Sequence, residues 1–281
     1  MFKYAMTQWI VGNEDMEVSF QRLKDNGYDA IEFAADPYNL DVDRCLALMN
    51  KYEMKCYSLC GMFNEERDLT ASGKNADTAV QYLKDSVDFA CKVGAKIIIV
   101  VPSPVGRTVP PEGMSMELLY ENAVNNVRKA ADYAEKNGIK LAIEAINRYE
   151  TFFMNTLTKA YKFVKDVDHP VVGIMADTFH MSIEENSFVK AIYMIKDKLI
   201  HVHIADNTRE PCGLGTTDFK EIMYALYDIN YSGICAMEFM YRLANPYSSL
   251  DMNTQGKLMD TYAKQAIDYI RMIERSVEQS L

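Results

Sequence analysis

Apolar positions along the chain recur in one repeating order: a helical stripe, a glycine stop, then a buried run. Val80, Leu83, Val87 and Ala90 fall at spacings of three and four, the spacing of one helix face. Gly94 ends that stripe, and Lys96-Ile-Ile-Ile-Val100 follows. Leu119, Ala123, Val127, Ala130 and Ala134 repeat the pattern, stop at Asn137-Gly138 and give way to Ile139-Lys-Leu-Ala-Ile-Glu144. Earlier, Phe20 and Leu23 lead through Asn26-Gly27 into Tyr28-Asp-Ala-Ile-Glu-Phe33. A helix, a glycine stop and a strand buried on both faces form the unit of a parallel sheet covered by helices.

Eight strands are predicted, starting near Lys3, Asp29, Lys55, Ala95, Ile139, Val171, Leu199 and Ile234, with helical patterns in the gaps and a long helix over 254–277. Eight βα units in 281 residues predict the α/β class and a single (β/α)8 TIM barrel. No linker rich in Pro, Gly or Ser divides the chain, so one catalytic domain over 1–281 is expected. An open doubly wound sheet would place a Gly-rich turn after the first strand. That turn reads Thr7-Gln-Trp-Ile-Val-Gly12 instead.

Composition narrows the function classes. Hydrophobic residues make up 49% and charged residues 25%, a globular mix that excludes a disordered or fibrous chain. The net charge of -10 argues against a nucleic-acid partner, which needs a cationic surface. No apolar run is long enough for a membrane span, and the N-terminal residues lack a signal-peptide pattern. The six cysteines are scattered. Cys56 and Cys60, the closest pair, would stand roughly 13 Å apart on a strand, too far for a disulfide. The six are expected to be buried thiols in a reducing cytoplasm.

In a barrel the chemistry sits at the C-terminal ends of the strands. The last four predicted strands end in Glu144, Asp177, His203 and Glu238. One such carboxylate alone reads as a helix N-cap. Four in register read as a cation site, rich in oxygen with one imidazole, suited to Mn²⁺ first and then Co²⁺ or Mg²⁺. His201 faces the same way as His203 but roughly 7 Å deeper, and is expected to be a hydrogen-bonded core residue. The following loops add Asn147 to Glu150, Thr178 to His180, and Asp206 to Arg209. Trp9, the only tryptophan, either covers the apolar face of a bound ligand or packs the barrel. The loop 102–113 after the fourth strand reads as a lid, a pocket wall or an oligomer contact. Its Arg107 is a weak candidate for a phosphate.

Glu144-Ala-Ile-Asn-Arg-Tyr-Glu150, Asp177-Thr-Phe-His180, His203 with Arg209, and Glu238 resemble the ketose 3-epimerases. These are the D-tagatose and D-psicose (allulose) 3-epimerases, within the xylose-isomerase-like sugar epimerase and isomerase superfamily. Asp68-Leu-Thr-Ala-Ser before a helix near Asn75 also looks like that family's third loop. The resemblance implies one metal ion per chain on Glu144, Asp177, His203 and Glu238, with Glu144 and Glu238 as the acid/base pair. It implies that Glu150, His180 and Arg209 hold the sugar oxygens at the C1–C2 end, and that the chain forms a homo-oligomer, a dimer or tetramer. The metal tetrad is shared with aldose–ketose isomerases and sugar-acid or cyclitol dehydratases of the superfamily. The loop triad favours the epimerases.

The residue types suit that chemistry in their own right. Inverting a carbon beside a carbonyl removes its proton and returns one to the other face. A cation can stabilise the resulting enediolate, and two carboxylates can serve as base and acid. A three-zinc endonuclease on the same barrel would need more imidazoles than the four histidines supply. A sugar-binding barrel without catalysis would gain nothing from two glutamates beside a cation.

Overall fold

The computed structural model describes residues 2–242 and 255–280. Its centre is a closed barrel of eight parallel strands in chain order. They are β1 (Lys3–Thr7), β2 (Ala30–Ala34), β3 (Lys55–Cys60), β4 (Ile97–Val100), β5 (Lys140–Glu144), β6 (Val172–Asp177), β7 (Leu199–Ile204) and β8 (Ile234–Met237). Each predicted strand is present, within two residues of its expected start. β1 pairs with β8 over Lys3–Met6 and Ile234–Met237, which closes the ring.

The helices form the outer layer: α1 (Met16–Asp25), α2 (Val42–Tyr52), α3 (Lys74–Val93), α4 (Met116–Lys136), α5 (Leu157–Val167), α6 (Thr178–Glu184), α7 (Phe188–Met194), α8 (Phe219–Asp228) and α9 (Gln255–Glu278). The long closing helix matches its expected span, whose residue 254 lies outside the described residues. The gap between β6 and β7 holds two short helices rather than one. Glu185 leaves α6 in extended backbone, and the Ser187 side chain caps α7 through Lys190 N. Gly94 ends α3 with φ 84°, a left-handed turn that an L side chain would strain.

The inside of the barrel is packed in layers. Ala5, Ala30, Ile234 and Ala236 fill the end where the strands begin. Cys60, Ile99, Ala142 and Met175 pack together further up. Side chains two apart on a strand share a face, so Glu32 follows Ala30, Glu144 follows Ala142, and Asp177 follows Met175 into the interior. The large apolar side chains, including Phe20, Phe33, Phe89 and Phe163, lie in the layer between sheet and helices. Small residues at the bottom and polar ones at the top thus place the charged groups at one mouth.

Candidate active site

Ligand-capable atoms of Glu144, Asp177, His203 and Glu238 all lie within 4.8 Å of one another, and all four residues are buried. Register explains the meeting. Asp177 and His203 are directly paired across β6 and β7, and Glu238 N donates to Ile204 O just past the end of β8. Asp177 does two jobs. Its Oδ1 caps α6 by accepting from Phe179 N at 2.7 Å and His180 N at 3.3 Å. Its Oδ2 faces the cluster and accepts from Arg209 Nη1 at 2.9 Å. The helix-cap role and the site role belong to different oxygens of one carboxylate.

The loops bring the other expected residues to this mouth. Arg209 Nη2 donates to Glu238 Oε2 at 2.7 Å, and its guanidinium lies 4.5 Å from the Phe179 ring centre. Arg209 holds φ 63°, a backbone state that costs energy for a non-glycine residue. The loop fixes it from both sides: Arg209 N donates to Asp206 O, and Met240 N donates to Arg209 O. The buried Asp206 carboxylate accepts from the backbone N–H groups of Gly213, Gly215 and Thr217 and so organises the whole loop.

His180 is buried, and its Nδ1 receives the Asn147 backbone N–H at 3.3 Å and side-chain amide at 2.8 Å. An Nδ1 that accepts leaves the ring hydrogen on Nε2. That nitrogen points inward, 3.7 Å from Glu144 Oε1 and 3.8 Å from Asp177 Oδ2. Glu150 stands one step behind, with Oε1 accepting from Asn147 Nδ2 at 2.8 Å. Trp9 Nε1 donates to Glu238 Oε1 at 3.0 Å.

Together these groups border a cavity of ≈ 260 Å³. Glu144, His180, Arg209 and Glu238 line it together with Trp9 and Cys60, and Phe63, Val101, Val105 and Ile146 supply apolar wall. Val105 makes the loop after β4 a pocket wall. Arg107 is tied to Asp68 Oδ2 at 2.8 Å and to Glu65, so it braces two loops instead of offering itself to a phosphate. A larger hollow of ≈ 460 Å³ opens at the other face, beside Lys3, Tyr57 and Lys96. It contains none of the clustered carboxylates or imidazoles, so the smaller cavity is the chemical one.

Burial and mutual repulsion push the charges apart. Burial, then the neighbouring Glu238 and Asp177, raises the Glu144 carboxyl well above its usual range, against His203 and Arg209. Burial acts the same way on Asp177 and Glu238, but Arg209 and the imidazoles outweigh it and hold both below the usual range. Burial lowers His180, which keeps it neutral. For His203 burial also lowers the pKa, yet the carboxylates of Glu238 and Glu32 prevail and raise it. Three carboxylates at one buried point thus push one of them, Glu144, toward its neutral form. A divalent cation is the charge this donor set lacks. His203 Nδ1 suits it as well: it is buried, faces Glu238 Oε2 at 3.0 Å, and has no aligned hydrogen-bond partner among the described residues.

Two groups at the site were not found from sequence. Asn147, named above only as one residue of a loop, bridges His180 and Glu150. Glu32, in the middle of β2, is fully buried with His203 Nε2 and His201 Nε2 each 2.8 Å from its oxygens. His201 is buried in the core as expected, but neither of its ring nitrogens has the aligned hydrogen bond expected of it among the described residues. One cysteine departs from expectation: Cys91 is exposed. It lies one residue beyond the buried Ala90 on α3, where the helical turn carries it to the solvent side. The six thiols are free. Among the described residues no helix is long and apolar enough to cross a membrane.

Residues 20–271 match the model of the xylose isomerase-like TIM barrel family. This chain belongs to the xylose isomerase-like TIM barrel family. An L-ribulose 3-epimerase of Methylomonas sp. is 30% identical over 256 residues, 87% of each chain. A 3-dehydro-D-guloside 4-epimerase of Escherichia coli is 27% identical over 245 residues, 83% of this chain and 90% of that protein. The solved structure of D-psicose 3-epimerase with D-tagatose from Clostridium cellulolyticum H10 superposes with a TM-score of 0.85 at 25% identity, covering 97% of this chain and 99% of that one. The relatives of this xylose isomerase-like barrel are carbohydrate epimerases, and the chain is an enzyme of that isomerase class.

Proposed function

We propose that this chain, as one catalytic domain over 1–281, catalyses the metal-dependent C3 epimerisation of a free ketose. The observation that carries it is the approach of Glu144 and Glu238, from β5 and β8, to one cluster with Asp177 and His203, in a pocket that His180 and Arg209 also line. Glu144, Asp177, His203 and Glu238 would hold the cation, Mn²⁺ before Co²⁺ or Mg²⁺. When bound, it supplies positive charge for the two oxygens next to the reacting carbon.

The protein's own groups do the rest. One glutamate takes the proton from C3, and the C–H electrons pass into the adjacent carbonyl to give a cis-enediolate. The other glutamate, protonated, returns a proton to the opposite face. One proton leaves and one arrives, so the sugar's formula is unchanged. His180 Nε2–H and the Arg209 guanidinium face the end where negative charge grows, and preorganised donors there lower the barrier. Glu150 supports that end through Asn147. Trp9 covers the sugar and keeps Glu238 in place. The apolar lining residues Phe63, Val101, Val105 and Ile146 and the pairing of Arg107 favour an uncharged sugar over a sugar phosphate. A homo-oligomer in the cytoplasm, with neither nucleic acid nor membrane as partner, completes the proposal.

A second reading is epimerisation at another carbon or aldose–ketose isomerisation through a similar enediolate, favoured by the likeness to the 4-epimerase. Incubation with Mn²⁺ and a panel of ketohexoses and ketopentoses in deuterated water separates them by NMR. The 3-epimerase puts deuterium at C3 and leaves C1 unlabelled. Label at C1 or C2 with an aldose product establishes an isomerase, and loss of a hydroxyl a dehydratase. No reaction with any free sugar rules out the free-ketose proposal.

A further inference from the structure

We infer that Glu32 is a positioning residue that fixes the orientation and tautomer of His203, so that Nδ1 presents its lone pair to the carboxylate cluster. The inference rests on the reading of that cluster as a cation site.

Glu32 lies inside a strand buried on both faces and is 0% exposed. A carboxylate there must be met by donors. Two are aligned, the Ser58 hydroxyl on Oε2 and His203 Nε2 at 2.8 Å from Oε1, and His201 Nε2 stands 2.8 Å from Oε2 without hydrogen-bond alignment. An ionised carboxylate only accepts, so the imidazole nitrogen that faces it carries the hydrogen. A neutral imidazole has one N–H. With Nε2 committed to Glu32, Nδ1 is the nitrogen of His203 whose lone pair a bound cation can take.

That nitrogen faces Glu238 Oε2 at 3.0 Å and Asp177 Oδ2 at 3.9 Å. A cation ligand must offer a lone pair, and the hydrogen bond made by the other ring nitrogen determines which atom offers it. His201 completes the clamp. Its Nε2 stands 2.8 Å from the second oxygen of Glu32, and its ring meets His203 edge-to-face at 5.1 Å and 73°. Neither the carboxylate nor the His203 ring can then rotate without losing a buried partner.

The competing use of these atoms is a second cation site, because Glu32, His201 and His203 also bring ligand atoms within 4.8 Å of one another. His203 would then have to serve two ions through its two nitrogens.

Calorimetric Mn²⁺ titration of the full chain and of Glu32→Gln tests the inference. A glutamine offers one acceptor and one N–H₂ donor to two rings, so it cannot keep both tautomers. The expected result is one Mn²⁺ per wild-type chain and about 10–100-fold weaker binding by Glu32→Gln. Ser58→Ala, which leaves the carboxylate, should bind near wild-type strength. Unchanged affinity in Glu32→Gln, with a lower melting temperature in chelator, makes Glu32 a structural core pair and overturns the inference. Two Mn²⁺ per wild-type chain, one lost in the variant, makes Glu32 a ligand and overturns it too. A wild-type chain that binds no Mn²⁺ fails the site reading itself, a different outcome. If Glu32→Gln does not fold, ¹⁵N NMR of the wild-type histidines with diamagnetic Mg²⁺ decides. A His203 Nε2–H signal supports the inference, and Nδ1–H overturns it.

Discussion

Arg209 and Glu238 meet through a 2.7 Å Nη2–Oε2 contact in the buried mouth of the barrel, and the same guanidinium reaches Asp177 at 2.9 Å. Arg209 is therefore a counter-ion for two carboxylates that share the site. Arg209→Ala should destabilise the metal-free protein by about 3–5 kcal/mol, because it leaves buried charge uncompensated. Added Mn²⁺ should recover part of that loss. Urea denaturation with chelator and with Mn²⁺ measures both. Arg209→Lys should restore little, since an ammonium cannot match the two-pronged contact.

The two glutamates should be separable from binding. Glu144→Gln and Glu238→Gln are each expected to lower turnover at least about 10²–10⁴-fold, the usual scale for removing an acid or base. Sugar binding by either variant should persist in equilibrium titration. Near-wild-type turnover in either would remove the two-carboxylate mechanism.

Acidity gives a third test. The Glu144 carboxyl is held well above its usual range by burial and by its carboxylate neighbours. The folded chain therefore keeps a proton there that the unfolded chain releases near its ordinary pKa. That stabilisation is complete below the unfolded value and is lost as pH rises through the folded one. In chelator, the melting temperature of the wild type should fall relative to Glu144→Gln as pH rises from about 5 to 9. With saturating Mn²⁺ the wild-type decline should shrink, because the cation favours the ionised form. A flat difference in chelator would show that Glu144 is already ionised without metal.

The barrel was legible because each unit repeats one grammar, with helix phase, glycine stop and strand all visible in the residues. Asp177, His203, Glu144 and Glu238 were legible because a barrel assigns chemistry to strand ends, and all four stand there. Glu32 was not. In Ala30-Ile-Glu-Phe-Ala34 a lone polar residue looks like the solvent side of a half-buried strand. Only closure of the ring turns that side inward, opposite two histidines of β7. Asn147 and Asp206 act through loop conformation, which no spacing rule encodes. Cys91 missed its expected burial by one helical step.

Assembly is open to a direct test. Val109, 68% exposed, and Tyr149, 73% exposed, are the most exposed large hydrophobic residues among those described. Both stand on loops that follow strand ends. Light scattering at micromolar concentration should give a dimer or tetramer, and Val109→Asp with Tyr149→Ser should shift it toward monomer. A monomeric wild type would remove the oligomer proposal and leave the site untouched.

The barrel's only tryptophan donates its indole N–H to Glu238 at 3.0 Å, which makes the enzyme its own optical probe. Excited at wavelengths the 18 tyrosines do not absorb, emission comes from a fluorophore hydrogen-bonded to one of the two proposed acid/base carboxylates. Cation arrival and sugar arrival should therefore each leave a distinct mark on intensity or wavelength, with no label attached. Rapid mixing could then time the two events in order, on the unmodified chain and at concentrations too low for calorimetry.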